Sequence, residues 1–194
     1  MIYFLNLIAH RLRIWWSNFY WRKARKRYGI KYADKKDSED TPHFVNSVAN
    51  RMYKKFRYKS DGIEQLGDSA PPPAEMYAQY CEQDTFADDC DGFHAGLYHV
   101  LHENGISCFL LSILSKKNEY GHCVVCFEYE GKTYIQDYFS QYDGDTLEDV
   151  IRTFYMNCTG GACMLFGKEF DYGEGKYRNK KLLKREVKLE ESNN

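Results

Sequence analysis

Three consecutive runs rich in Ile, Val, Phe and Tyr, at about 106–114, 122–129 and 132–138, constrain this chain more than any other feature. Each has the length and the β-branched and aromatic content of a strand. Only Glu130-Gly131, a two-residue hairpin signal, separates the last two. Just before them, from about Cys90 to Asn104, Phe93, Leu97 and Leu101 fall on one helical face, and Asn104-Gly105 closes the helix. A helix with one apolar stripe and a sheet with an apolar face cover each other. The order, helices first and then a helix packed on an antiparallel sheet, predicts an α+β fold.

The flanks are less constrained. Thr41-Pro42 reads as an N-cap followed by a proline at the first helical position, and Phe44, Val45, Val48, Met52 and Phe56 supply that helix with a stripe. A turn-rich stretch from Ser60 to Pro73 precedes a short helix from Pro73 to about Cys81. Asp145 caps a further helix to about Tyr155, and 162–170 reads as a strand. From Gly173 the chain is a charged tail, with a surface helix expected over Lys180–Leu189. Three parts result: 1–40, a basic amphipathic helix and charged linker; 41–172, the folded domain; and 173–194, the tail.

With 194 residues, 43% apolar and 28% charged, the chain has the make-up of one ordinary globular domain. Its charge is uneven. Residues 1–30 hold seven Lys/Arg and no Asp/Glu, and subtracting those seven from a net charge of −1 leaves −8 on the rest. An acidic body excludes a basic nucleic-acid-binding domain. In the leader, Leu5, Ile8, Leu12, Trp15 and Phe19 recur at helical spacing. It reads as retained rather than as a signal peptide, packed on the body, lying on an anionic membrane surface, or docked on a partner protein. No uninterrupted apolar run reaches 18 residues, and there is no phosphate loop or dinucleotide fingerprint. Seven cysteines, an odd number, favour reduced thiols and a cytoplasmic setting.

Cys90 carries the first chemical signal. Phe93, Leu97 and Leu101 lie 3, 7 and 11 residues on. Its side chain therefore starts the buried face of the helix, in a first turn whose N–H groups and dipole favour a thiolate or an oxyanion. His122 opens a strand after Tyr120-Gly121, and Asp137 shares a strand face with Thr133 and Ile135. A carboxylate on an apolar face needs a partner, and a histidine on the neighbouring strand provides one. Cys90 as nucleophile, His122 as proton carrier and Asp137 as its orienting group make a catalytic constellation. The same residues also read as a structural thiol, a core histidine and a surface carboxylate.

The segments DDCDGFHAGLYHVLHENGI and GHCVVCFEYEGKTYIQDY, 15 residues separating His122 from Asp137, resemble the nucleophile helix and the His and Asp strands of the transglutaminase-like superfamily. FRYKSD and PPPAEMY are similar to the region before the nucleophile in its bacterial cysteine proteinases. The resemblance covers roughly 43–140. It implies a papain-like core and a cysteine peptidase or hydrolase that cleaves a peptide or isopeptide bond of a protein through a thioester. Transglutaminase or deamidase-type acyl transfer is the alternative within the superfamily, and a silent peptide-binding or membrane-surface adaptor protein the alternative outside it. Papain-like enzymes place an oxyanion-hole side chain before the nucleophile, where this chain has Gln79 and Gln83, Gln79 being preferred. The chemistry requires no cofactor. Some bacterial members depend on calcium, and Asp61, Asp89 and Asp91 resemble their ligand positions.

Three further readings follow from the residues. His94 departs from the superfamily, which has a small residue there, and its ring is expected to crowd access to the nucleophile. Asp88, Asp89 and Asp91 oppose a thiolate at Cys90, so they must face solvent or meet a cation. Cys123 and Cys126 fall on opposite strand faces, which excludes redox or zinc use, and His99 and His102 are expected at the surface.

Overall fold

The computed structural model describes residues 33–59, 72–115, 121–155, 161–183 and 186–189. The basic leader over 1–30, Asp61 and Cys158 lie outside the described residues.

Helix α1 (Thr41–Lys55) leads into a short strand β1 (Phe56–Tyr58), then α2 (Pro73–Glu82), β2 (Phe86–Asp88) and α3 (Cys90–Glu103). The strands β3 (Cys108–Ser115), β4 (Gly121–Tyr129), β5 (Lys132–Asp137) and β6 (Ser140–Gly144) follow, then α4 (Leu147–Tyr155), β7 (Gly161–Asp171), β8 (Lys176–Lys180) and β9 (Glu186–Leu189). Seven strands form one sheet in the order β6-β5-β4-β3-β7-β8, with β9 also on β7, and every pairing in it is antiparallel. This is a mixed helix and sheet fold. Among the described residues no helix is long and apolar enough to cross a membrane.

Strand alternation builds two cores from the one sheet. Leu110, Cys123, Val125, Phe127 and Phe170 face the layer of α1, α2 and α3, where they meet Val45, Met52, Met76, Phe93, Leu97 and Leu101. Leu111, Ile113, Val124, Cys126, Ile135 and Leu165 face the other way, onto Val150 and Ile151 of α4. Cys123 and Cys126 thus lie on opposite faces. The β4–β5 turn works because Glu130 and Gly131 both take left-handed backbone, φ 48° and 77°, the twist a two-residue hairpin needs.

Two caps sit one residue from their expected places. Asp40, not Thr41, caps α1, its carboxylate taking the His43 N–H at 3.0 Å. At α4 it is Thr146 rather than Asp145, in a reciprocal exchange with Asp149. The larger correction lies in the C-terminal segment. The surface helix expected over 180–189 is not there; Val187 of β9 is buried beside Cys163, its register partner on β7. A lysine-rich sequence with few apolar residues has too little periodicity to reveal an edge strand.

Candidate active site

α3 begins at Cys90 because Asp89 caps it. The Asp89 carboxylate accepts the Asp91 N–H at 3.0 Å, and its carbonyl accepts the Phe93 N–H at 3.3 Å. The cap leaves Cys90 half-buried in the first turn. His122 is the second residue of β4, and Asp137 the last of β5. Alternation puts His122 on the face of Val124 and Cys126, and Asp137 on the face of Ile135, the side that α4 covers. There His122 Nε2 donates to Asp137 Oδ1 at 2.8 Å. A carboxylate oxygen only accepts, so Nε2 carries its proton and Nδ1 is left for the ring's other partner, the Cys90 thiol. Phe154 of α4 stacks on the imidazole with planes 5° apart and centroids at 6.1 Å, shielding the His122–Asp137 pair.

The electrostatics follow from these contacts. Burial works to lower the His122 pKa, but the bonds to Asp137 and to Cys90 outweigh it and push the imidazole up to about 9. At neutral pH the ring is a cation beside the thiol, which is how a neighbouring histidine activates a cysteine. A cleft of about 310 Å³ opens over the pair, lined by Cys90, Gly121, His122 and Tyr138 together with Tyr53, Phe56, Arg57 and Tyr58. A larger cavity of about 520 Å³ is lined by Phe109, Leu147, Leu165 and Leu182 among others, and among the described residues of its wall there is neither a cysteine nor a histidine.

The turn after Asp137 is held from below. Tyr138 takes φ 46°, left-handed backbone that a bulky residue adopts only under constraint. Buried Gln136 supplies it: its Nε2 donates to the carbonyls of Tyr138 and Ser140 at 3.0 and 3.1 Å. Its Oε1 accepts from Gln141, whose amide also reaches the Pro42 carbonyl of α1. His94 reaches the same turn from the helix. Its Nε2 accepts the Tyr138 N–H at 3.1 Å and its Nδ1 lies 2.6 Å from the Cys90 carbonyl. The expected crowding of the nucleophile is therefore corrected: His94 is wholly buried and does not line the cleft.

The remaining site residues divide. Gln79 sits half-buried on α2 and does not line the cleft. Asp89 and Asp91 come together with Asp88, each offering a carboxylate oxygen within 4.8 Å of the others. Neither solvent nor a cation alone accounts for these acids. Asp89 is the helix cap, and Asp88 Oδ1 accepts the Asp89 N–H at 2.8 Å. Gly92 makes room for them, since a Cβ there would run into the Asp88 carboxylate. Three hard oxygen donors suit calcium in kind, while supplying fewer than its six to eight ligands. His99 is corrected too: it is buried, and its Nδ1 lies 2.7 Å from the Tyr172 hydroxyl.

Fold and site together define an α+β protein with a cysteine at a helix start, a carboxylate-paired histidine beside it, and a cleft open to both. No family model matches the chain, and no curated protein matches it. Solved structures do. Calcium-bound LapG of Legionella pneumophila aligns at 18% identity and TM-score 0.40, over 53% of this chain and 56% of that one. The EGTA-treated form aligns at 19% identity and TM-score 0.41, over 66% and 71%. A third LapG structure aligns with the same identity and TM-score over 66% and 73%.

Proposed function

We propose that this protein is a cysteine hydrolase that cleaves a peptide or isopeptide bond in a protein substrate. The observation that carries the reading is His122, held at 2.8 Å by Asp137 and hydrogen-bonded to Cys90 at the mouth of a cleft. The superfamily resemblance of the two segments around these residues supports it independently.

The chemistry runs in two halves. The Cys90 thiolate attacks the substrate carbonyl carbon, and the electron pair moves onto its oxygen. When the pair returns, the C–N bond breaks, and the leaving amine takes the proton from His122. The product is a thioester on Cys90. Neutral His122 then accepts a proton from water, which adds to the thioester carbon, and the C–S bond breaks to give the acid and restore the thiolate–imidazolium pair. Asp137 does not touch substrate; it keeps Nε2 protonated and Nδ1 turned to the sulfur.

Asp88, Asp89 and Asp91 would hold calcium if the protein uses it. Their place on either side of Cys90, Asp88 and Asp89 before it and Asp91 after, would make the ion a support for the start of α3, since it would neutralise three charges beside the thiolate.

Intact-mass analysis after an electrophilic acyl or epoxide probe tests the reading. One adduct is expected on the wild-type protein and none on Cys90→Ala, with both melting alike. Labelling that persists in Cys90→Ala at the buried Cys108 or Cys126 refutes it.

A further inference from the structure

His94 bonds to two of the elements that carry the reacting groups. Its ring nitrogens have fixed roles, because a carbonyl can only accept and a backbone N–H can only donate. Nδ1 must therefore carry the proton it gives to the Cys90 carbonyl at 2.6 Å, and Nε2 must be the bare nitrogen that takes the Tyr138 N–H at 3.1 Å. One end of the imidazole grips the first residue of the nucleophile helix. The other grips the residue after Asp137, 44 positions along the chain. A side chain that only filled space, such as leucine, would bury equal area and leave the Tyr138 N–H without this acceptor in a left-handed turn.

We propose that His94 is a positioning residue, a neutral buried crossbar that sets the distance between the Cys90 helix and the Asp137 turn, and through them the contact of His122 with the thiol. The inference rests on the hydrolase reading and adds to it a part that the cysteine, histidine and aspartate do not supply themselves.

The surroundings fit that role. The ring makes edge contacts with Phe93 and with His122, at 5.0 and 6.0 Å between centroids. It lies 5.0 Å from the ring of Tyr138, which lines the cleft. The crossbar works only uncharged. A proton on Nε2 would turn the Tyr138 N–H away and offer Asp137 Oδ1, 3.7 Å off, a second imidazolium to choose over His122. Burial secures the neutral form, pushing the His94 pKa down to about 4 against the pull of Asp137.

Two substitutions each cut one end. His94→Asn keeps an amide donor near the Nδ1 position for the Cys90 carbonyl; His94→Gln keeps an acceptor near the Nε2 position for the Tyr138 N–H. In both, with melting curves still cooperative, the rate of Cys90 alkylation by iodoacetamide at about pH 7 should fall at least about tenfold, because the sulfur loses its aligned contact with the His122 ring. The His122 titration read by NMR should move from about 9 toward 6.5. Folded variants with the wild-type rate and the wild-type His122 titration overturn the proposal, since a merely structural residue would change only the melting point. Ring nitrogen shifts of the unmutated protein test it without any variant: the Nδ1–H tautomer is expected at neutral pH, and the Nε2–H tautomer overturns the proposal. Wild-type Cys90 that reacts no faster than a free thiol would sink the hydrolase reading instead, and the tautomer would still judge the crossbar.

Discussion

Replacing His122 by glutamine keeps a hydrogen-bond donor for Asp137 and removes the charge. The consequence is a stability difference that depends on alkaline pH. An imidazole in the unfolded chain titrates near 6.5, and His122 in the fold near 9. The folded protein binds this proton more tightly than the unfolded chain. The stabilisation is therefore complete below about pH 6.5, and it is lost as pH rises through about 9. The distance from about 6.5 to about 9, at about 1.4 kcal/mol per pH unit, corresponds to about 3 kcal/mol. That is a large part of the roughly 5–15 kcal/mol that holds a typical domain. Urea unfolding followed by far-ultraviolet circular dichroism, from about pH 6 to about pH 10, measures it. Subtracting the variant's curve cancels the groups that do not interact with His122. The wild-type advantage should shrink by about 3 kcal/mol across that window, most of it gone above pH 9. Parallel curves would mean that His122 gains no proton affinity on folding, and the imidazolium–thiol pair would fall with them.

Calcium, if held by Asp88, Asp89 and Asp91, binds only the folded state, so saturation at about 100 times Kd should add about 2.7 kcal/mol and chelation should remove it. A melting curve indifferent to both calcium and EGTA would dismiss the site. Asp137→Asn should lower the melting point at neutral pH, because His122 loses the carboxylate that holds its charge, and should lower turnover by about 10² or more, since the amide can present an N–H to the Nε2 proton and release the ring. Turnover equal to wild type would place Asp137 outside the mechanism.

The parts of this site that were legible in the sequence share one property: they follow from local periodicity. The stripe of Phe93, Leu97 and Leu101 located the start of α3 and hence Cys90. The two-residue step of β5 put Asp137 on the face of Thr133 and Ile135, where a carboxylate needs a partner from the neighbouring strand. Parts that depend on contacts distant in the chain were not legible. The parallel pair of β1 and β2, three residues each, holds the Tyr58 and Asp88 backbones in register beside Cys90, yet neither strand is long enough to alternate. The sequence leaves Asp88, Asp89 and Asp91 facing solvent or a cation, and the packing that decides where Asp88 goes includes the missing Cβ of Gly92, which has no sequence signal of its own. His94 was misread because both its partners are main-chain atoms, which have no identity in a sequence.

Two imidazoles 6.0 Å apart, ring centre to ring centre, end on opposite sides of the ordinary histidine pKa although one carboxylate pulls both upward. Both are buried, so burial alone would lower both pKa values. Distance and partner decide between them. His122 meets Asp137 Oδ1 at 2.8 Å with a proton to give, whereas His94 faces the same oxygen at 3.7 Å with a bare nitrogen already committed to the Tyr138 N–H. Burial keeps His94 neutral, and the backbone bond fits only that form, since an Nε2 occupied as an acceptor cannot also donate. Charging the outer ring thus depends on keeping the inner one neutral. Two charged rings would share one carboxylate and repel each other, and two neutral rings would leave the Cys90 thiol without its cation. The left-handed turn at Tyr138, which aims its N–H at His94, is then part of how a single aspartate comes to serve a single histidine.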